Sequence, residues 1–163
     1  MYAVRPDGTG LSRIPLGLPY DGADVEWSPD GTKALVMYDS GSGNSLAWVF
    51  DAVRRTQRRI RLRKLDTISF MPWSPDGKRL ALGTSNGDVV LDVETRTLHR
   101  LQDELADDLL TWSPDGKRLL FSSGHDLYTA PADGGPPTHV MRIRREPGDL
   151  QWSFDGRWIS FID

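Results

Sequence analysis

The amino-acid sequence predicts an all-β fold built from repeated four-stranded antiparallel blades set side by side around an axis, and three observations carry that prediction. A five-residue string recurs four times, as Trp27-Ser28-Pro29-Asp30-Gly31, Trp73-Ser74-Pro75-Asp76-Gly77, Trp112-Ser113-Pro114-Asp115-Gly116 and Trp152-Ser153-Phe154-Asp155-Gly156, where Phe stands for Pro. Successive copies lie 46, 39 and 40 residues apart, the length of one four-stranded unit. A short apolar run follows every copy, and outside a possible single turn near residues 103–109 no segment shows a helical period. A two-sheet sandwich also uses short strands, but it gives no reason for one turn to recur at this interval. A β-propeller does.

Each string reads as a hairpin corner. Pro presets φ at the first corner position, Asp bonds nearby backbone, and Gly takes the positive φ that closes the turn. The second strand of each unit then follows as residues 33–37, 79–82, 118–121 and 157–161. The third reads as residues 46–50, 89–93 and 126–130, and the fourth as 59–62, 97–101 and 138–141. Counted from Trp, whole blades span residues 27–72, 73–111 and 112–151. Residues 1–26 and 152–163 are half-blades, strands three and four falling at the N-terminal end and strand two with its lead-in at the other. Two arrangements accommodate them: a segment of a larger propeller, which is preferred, or a four-blade ring whose last blade is stitched from both termini. An open segment would expose apolar blade faces and tend to self-associate.

The structural residues of the repeat are therefore Trp27, Asp30, Gly31, Trp73, Asp76, Gly77, Trp112, Asp115, Gly116, Trp152, Asp155 and Gly156. The Trp side chains, with the alternating apolar residues behind them, are expected to fill the space between neighbouring blades.

Whole-chain composition narrows the function. The chain has 163 residues, a formal charge of −3, 38% hydrophobic residues, six Trp and no Cys. Disulfide scaffolds, Cys-based zinc sites and thiol nucleophiles are excluded. Neither disorder nor a dominant nucleic-acid-binding surface is expected. No apolar run reaches membrane-spanning length, so no membrane insertion is expected, and the first residues lack the hydrophobic stretch of a signal peptide.

The string Trp-Ser-Pro-Asp-Gly-x-x-Leu, an aromatic or Val-rich third strand, and the Asp-Gly turns in Tyr2-Ala3-Val4-Arg5-Pro6-Asp7-Gly8 and Tyr128-Thr129-Ala130-Pro131-Ala132-Asp133-Gly134 together resemble the WD-like repeat of TolB-type propellers. The resemblance covers the whole chain and implies rings of six or more blades. It also implies a non-catalytic scaffold that binds a protein or peptide near its channel, in the periplasm for TolB itself. Similar repeats form the propellers of prolyl oligopeptidase-like and tricorn-like peptidases, so a peptidase propeller whose catalytic domain lies outside residues 1–163 is the alternative.

Sites of chemistry are few. Gly83-Thr84-Ser85-Asn86-Gly87 matches the nucleophile-elbow pattern, yet it joins two strands instead of a strand and a helix, and reads as a hairpin loop. His99, His125 and His139 lack paired ligand spacing and read as surface or packing residues; no metal or cofactor is called for. Arg54 to Lys64 carries seven positive side chains on an outer strand without interleaved aromatics, so it reads as a solvated edge and not a nucleic-acid surface. Carboxylates precede each Trp: Asp24 and Glu26, Asp66, Asp103, Glu104, Asp107 and Asp108, then Asp149. Loops from successive blades would gather these into an acidic rim for a cation or a basic, extended peptide, with Asp24, Asp108 and Asp149 at equivalent positions.

Overall fold

The computed structural model describes residues 2–14, 23–39, 45–60, 72–83, 87–101 and 110–162. They form antiparallel sheets without a helix. The first whole blade is β3 (Ala23–Trp27), β4 (Lys33–Asp39), β5 (Ser45–Asp51) and β6 (Thr56–Ile60), hydrogen-bonded in that order. The second is β7 (Arg79–Leu82), β8 (Val89–Asp92) and β9 (Leu98–Arg100), with Trp73 bridging Leu80 where an innermost strand would run. The third is β10 (Leu110–Trp112), β11 (Arg118–Ser123), β12 (Asp126–Pro131) and β13 (Thr138–Arg142). Two separate hairpins flank these blades: β1 (Tyr2–Ala3) with β2 (Ser12–Arg13), and β14 (Gly148–Trp152) with β15 (Ile159–Ile162).

The outer strand of the first blade starts earlier than its sequence pattern predicts. Asp51 accepts the Arg54 N–H at 2.7 Å and pairs with its guanidinium at 2.9 Å, and Arg55 takes φ 53°. This tight turn returns the chain at once, so β6 starts at Thr56, opposite Asp51. The possible helical turn near residues 103–109 lies outside the described residues.

Every repeat corner has one hydrogen-bond design. The Gly N–H donates to the Ser carbonyl at 2.8 Å in Gly31, Gly77 and Gly116 and at 2.9 Å in Gly156, and each Gly has positive φ. The Ser hydroxyl donates to the Asp carboxylate two residues on, at 2.6 Å for Ser28 and Ser74 and 2.7 Å for Ser113 and Ser153. It also accepts the backbone N–H of the residue five positions on, Lys33, Arg79, Arg118 or Trp158, at 2.9 Å. One hydroxyl thus ties the corner to the start of the next strand, and the Asp carboxylate holds that hydroxyl in place.

Hydrogen bonds to the charged form favour it. The Ser28 hydroxyl and the Thr32 N–H and hydroxyl lower the Asp30 carboxyl to about 2. Asp115 and Asp155 are lowered in the same way, by the Ser113 and Ser153 hydroxyls first and then by the Lys117 and Arg157 N–H groups. At Asp76, partial burial pushes upward but is outweighed by the Ser74 hydroxyl, the Lys78 N–H and the nearby cations.

The cores lie between blades, because the period-two alternation of a strand sends successive side chains to opposite faces. In β4, Ala34 and Val36 pack toward Ile14 behind β2, while Leu35 packs toward the second blade. In β7, Leu80 and Leu82 face the first blade and Ala81 faces the third. In β11, Leu119 and Phe121 face the second blade, while Leu120 joins Leu150 and the C-terminal hairpin. The middle strands are apolar on both faces for this reason.

The repeated Trp completes each interface. Trp73 is 5% exposed within the core between the first and second blades, and Trp112 is 6% exposed between the second and third. Their indole N–H groups donate backward, Trp73 to the Glu26 carbonyl at 3.3 Å and Trp112 to the Pro72 carbonyl at 2.9 Å. Each acceptor immediately precedes the Trp of the blade before. Trp27 departs from the expected packing role: it is 45% exposed. Among the described residues, the hairpin β1–β2 is what packs on that side of the first blade.

Two measurements follow from these contacts. Trp73→Ala and Trp112→Ala should each lower the unfolding free energy by about 3–5 kcal/mol, whereas Trp27→Ala should cost less than about 1.5 kcal/mol; urea denaturation of the three variants checks the difference. Lowered carboxyl pKa values stabilise the fold above the unfolded carboxylate pKa of about 3.9. The stability that the corner carboxylates supply should therefore be constant above about pH 5, decline below about pH 4 and continue to fall toward pH 2, with the Asp30 carboxyl resonance titrating near 2 by NMR.

Candidate functional site

The innermost strands of a propeller border its central channel. Asp24 lies on β3 and Asp149 on β14, each three residues before its Trp, and both side chains are exposed. They are strand residues, not loop residues as expected, because pairing of the innermost strand begins ahead of Trp: Asp24 is opposite Met37. Asp149 takes φ 50° in an irregular stretch of the β14–β15 pairing. Asp108 lies outside the described residues, as do Asp66, Asp103, Glu104 and Asp107.

Glu26 behaves differently from these exposed carboxylates. Burial pushes its carboxyl up, offset in part by the Trp73 backbone N–H, and its own carbonyl accepts the Trp73 indole. It belongs to the blade interface.

On the outer side, the first and second blades enclose an open cleft with lobes of about 280 and 370 Å³, which meet at Val49, Arg58 and Val93. Val49, Leu91 and Val93 form an apolar floor, and Arg59 and Arg96 stand on the walls. The Arg58 guanidinium crosses between the blades to the Val93 carbonyl. Arg59 stacks over Trp48, its partner on β5, with the cation 5.7 Å from the ring centroid. The basic run is thus more than a solvated edge over its described part: Arg54, Arg58 and Arg59 each hold a neighbour. The run contains no aromatic residue of its own, and Trp48 reaches it only through strand pairing. Arg61, Arg63 and Lys64 lie outside the described residues. Sequence reasoning missed the cleft because its walls come from different repeats.

The histidines occupy separate places. His99 is half-buried on β9 opposite Val90, and His125 is exposed between β11 and β12. The His139 Nε2 lies 2.8 Å from Asp126 Oδ1, and its ring meets the Tyr128 ring edge-on with centroids 5.3 Å apart. Arg142 approaches the other Asp126 oxygen at 3.6 Å. Among the described residues, no three His, Cys, Asp or Glu side chains gather to hold a metal ion, and no helix is long and apolar enough to cross a membrane. Gly83 and Gly87 bracket the connection between antiparallel β7 and β8, which is a hairpin and not the strand-to-helix elbow that a nucleophile needs; Thr84 to Asn86 lie outside the described residues.

No family model matches the chain. It is 29% identical over 148 residues to Tubby-related protein 4 of Mus musculus and 26% identical over 147 residues to that of Homo sapiens. These matches cover 86% of this chain but only 9% of each relative. Among solved structures, it superposes on putative TolB from Agrobacterium tumefaciens with a TM-score of 0.62 at 23% identity, over 85% of this chain and 52% of that one. The β-propeller domain of the Trilobed protease from Pyrococcus furiosus, described as having an open velcro topology, matches with a TM-score of 0.60 at 18% identity, over 75% and 44% of the two chains. Acylaminoacyl peptidase from Pyrococcus horikoshii matches with a TM-score of 0.56 at 18% identity, over 74% and 25%. In fold, this chain is a TolB-like β-propeller, an array of four-stranded antiparallel blades.

Proposed function

We propose that this propeller is a scaffold that binds a protein or peptide and carries no catalytic role of its own. The observation behind this reading is the placement of Asp24 and Asp149, exposed at one repeat-equivalent position on innermost strands. Asp108, four residues ahead of its Trp, is the third member of the proposed rim. Carboxylates repeated along a channel mouth favour a basic, extended peptide, whose successive positive side chains meet successive blades. The interfaces between blades are packed independently of these residues, so the rim can bind without its own charges being needed for folding. The likeness to putative TolB is consistent with this role.

The alternative is the propeller of a peptidase, favoured by the similarity to the Trilobed protease and acylaminoacyl peptidase structures. In that case the blades would gate access to a hydrolase domain encoded elsewhere in a longer chain. A continuous reading frame joining these residues to an α/β-hydrolase sequence would favour it.

Fluorescence anisotropy with a labelled Lys-rich peptide, an acidic peptide of equal length and a neutral one tests the binding reading. The Lys-rich peptide should bind best, and the triple variant Asp24→Asn, Asp108→Asn, Asp149→Asn should weaken it by about tenfold or more, equivalent to about 1.4 kcal/mol. Equal affinity for all three peptides, or no loss in a folded triple variant, would remove the acidic rim. Preferential binding of the acidic peptide, lost in Arg96→Glu, would move the ligand to the arginine-lined cleft.

A further inference from the structure

The two interfaces between whole blades differ at one place, the outer cleft between the first and the second. In the third blade, the turn after β12 reads Ala132, Asp133, Gly134 and Gly135, and it reaches the outer strand of the blade before. Gly135 bridges Leu101, and a Cβ on Gly134 would lie 3.5 Å from the Arg100 carbonyl. Two glycines let backbone approach backbone there, and Leu101 is 1% exposed. Counted from Trp73 and Trp112, the same turn of the second blade reads Val93, Glu94, Thr95 and Arg96. Arg96 and Gly135 are equivalents, and both take positive φ, 66° and 127°. The second-blade turn thus carries side chains where the third carries none, and the Arg58 guanidinium spans from the first blade to the Val93 carbonyl. Ile60, the counterpart of Leu101 by strand register, is half-buried and lines the gap.

The lobe left open there has about 280 Å³ and a divided chemistry. Val49, Leu91 and Val93 are buried along its floor, and Leu98 beside them is 47% exposed. Arg58 and Arg59 belong to the first blade and Arg96 to the second, so cations stand on both sides. Arg58 is engaged at Val93, and Arg59 lies over Trp48. Arg96 joins none of the ion pairs among the described residues. Asp92 lines the same lobe, but its carboxylate is taken up by its own turn, accepting the Glu94 and Thr95 N–H groups at 2.9 and 2.7 Å. The backbone of the floor is committed as well: Val49 and Leu91 lie on central strands, each paired on both sides. An extended peptide laid on these two strands would find no backbone partners, whereas an apolar body with one charged head uses both the floor and the free cation.

We propose that this lobe binds a small amphipathic carboxylate, its apolar body lying on Val49, Leu91 and Leu98 and its head held by Arg96. A guanidinium presents a planar fork that fits a carboxylate, and an apolar floor strengthens that pairing by excluding water. The volume stands at the lower end of small-molecule clefts, which suits a short chain or a single ring. The site is separate from the acidic rim, selects the opposite charge and does not rest on it.

Sodium octanoate is the probe, titrated into the isotope-labelled chain and followed by amide chemical shifts. The shifts should saturate and concentrate at Val49, Ile60, Leu91 and Arg96. Acetate should bind more than about tenfold weaker, because it lacks the methylenes that the floor would bury, and octylamine, of like length and opposite charge, should leave these amides in place. Arg96→Ala should weaken octanoate about tenfold, and Arg96→Lys by less. Leu98→Ser should weaken it too, while Asp24→Asn leaves it unchanged, so the result reads independently of the rim. Equal affinity for octylamine, or undiminished octanoate binding in a folded Arg96→Ala chain, overturns the site, as do shifts confined to residues outside the cleft. If an acidic, leucine-containing peptide binds these same residues more tightly than octanoate, a protein segment is the ligand and the small-molecule reading falls.

Discussion

The structure depends on the Trp that each blade lays against the one before it. A flat antiparallel sheet of three or four short strands is marginal alone, and these sheets gain their stability by burying both faces against neighbours. Trp73 and Trp112 fill that interface and donate to carbonyls of the preceding blade, so burial and direction are set by one side chain. The indole N–H would be costly to bury unpaired, and the donor bond also fixes how far one blade slides past the next. In the fourth copy, the Trp152 Nε1 is buried without a hydrogen-bond partner among the described residues, and the indole is less enclosed. Stability is therefore distributed along the array instead of residing in one central core, as nearest-neighbour repeat folds require.

The corner beneath each Trp explains which letters of the repeat can vary. Ser, Asp and Gly each make bonds that no other residue in the corner can replace, whereas Pro contributes only a preset φ. Phe154 shows the distinction: the Ser153–Asp155 and Ser153–Gly156 bonds keep their lengths, and the Phe side chain is 99% exposed. Corners of successive blades also touch. A Cβ on Gly77 would lie 3.1 Å from the Asp30 carboxylate, and those on Gly116 and Gly156 would each meet the preceding corner's Pro at 3.7 Å. Gly therefore serves both the positive φ and the close approach of neighbouring turns.

The blades were legible in the sequence because the forces that build them are local and periodic. The Trp-Ser-x-Asp-Gly corners mark the hairpins, and the continuous apolar runs within Arg79–Leu82 and Arg118–Phe121 mark strands buried on both faces. What failed depended on contacts between repeats or on a single side chain. The early start of β6 follows from the Asp51 carboxylate capping a tight turn, a cue hidden among seven nearby cations. Asp24 and Asp149 stand on strands where the sequence suggests loops, because the pattern locates Trp but not how far strand pairing extends ahead of it. The exposure of Trp27 is invisible in a string identical to two buried copies, since it depends on what stands on the other side. The cleft at Arg58 and Arg96 needed two outer strands from different repeats.

Function is best sought where blades depart from one another. The second position after each corner is Lys33, Arg79, Arg118 and Trp158 in the four copies. Its backbone N–H meets the corner Ser in every case, so the fold needs the position but not the side chain. Arg79 uses that freedom to clamp the next blade, lying 5.1 Å over the Trp112 ring and reaching the Gly116 carbonyl and Asp133. Arg118 is exposed at the same place, and Trp158 offers an apolar ring to solvent. Asp24 and Asp149 obey the same logic, since they sit ahead of Trp on strands that pair through their backbones. A repeat of this kind spends its invariant letters on the interfaces and leaves specificity to the side chains that the interfaces do not constrain.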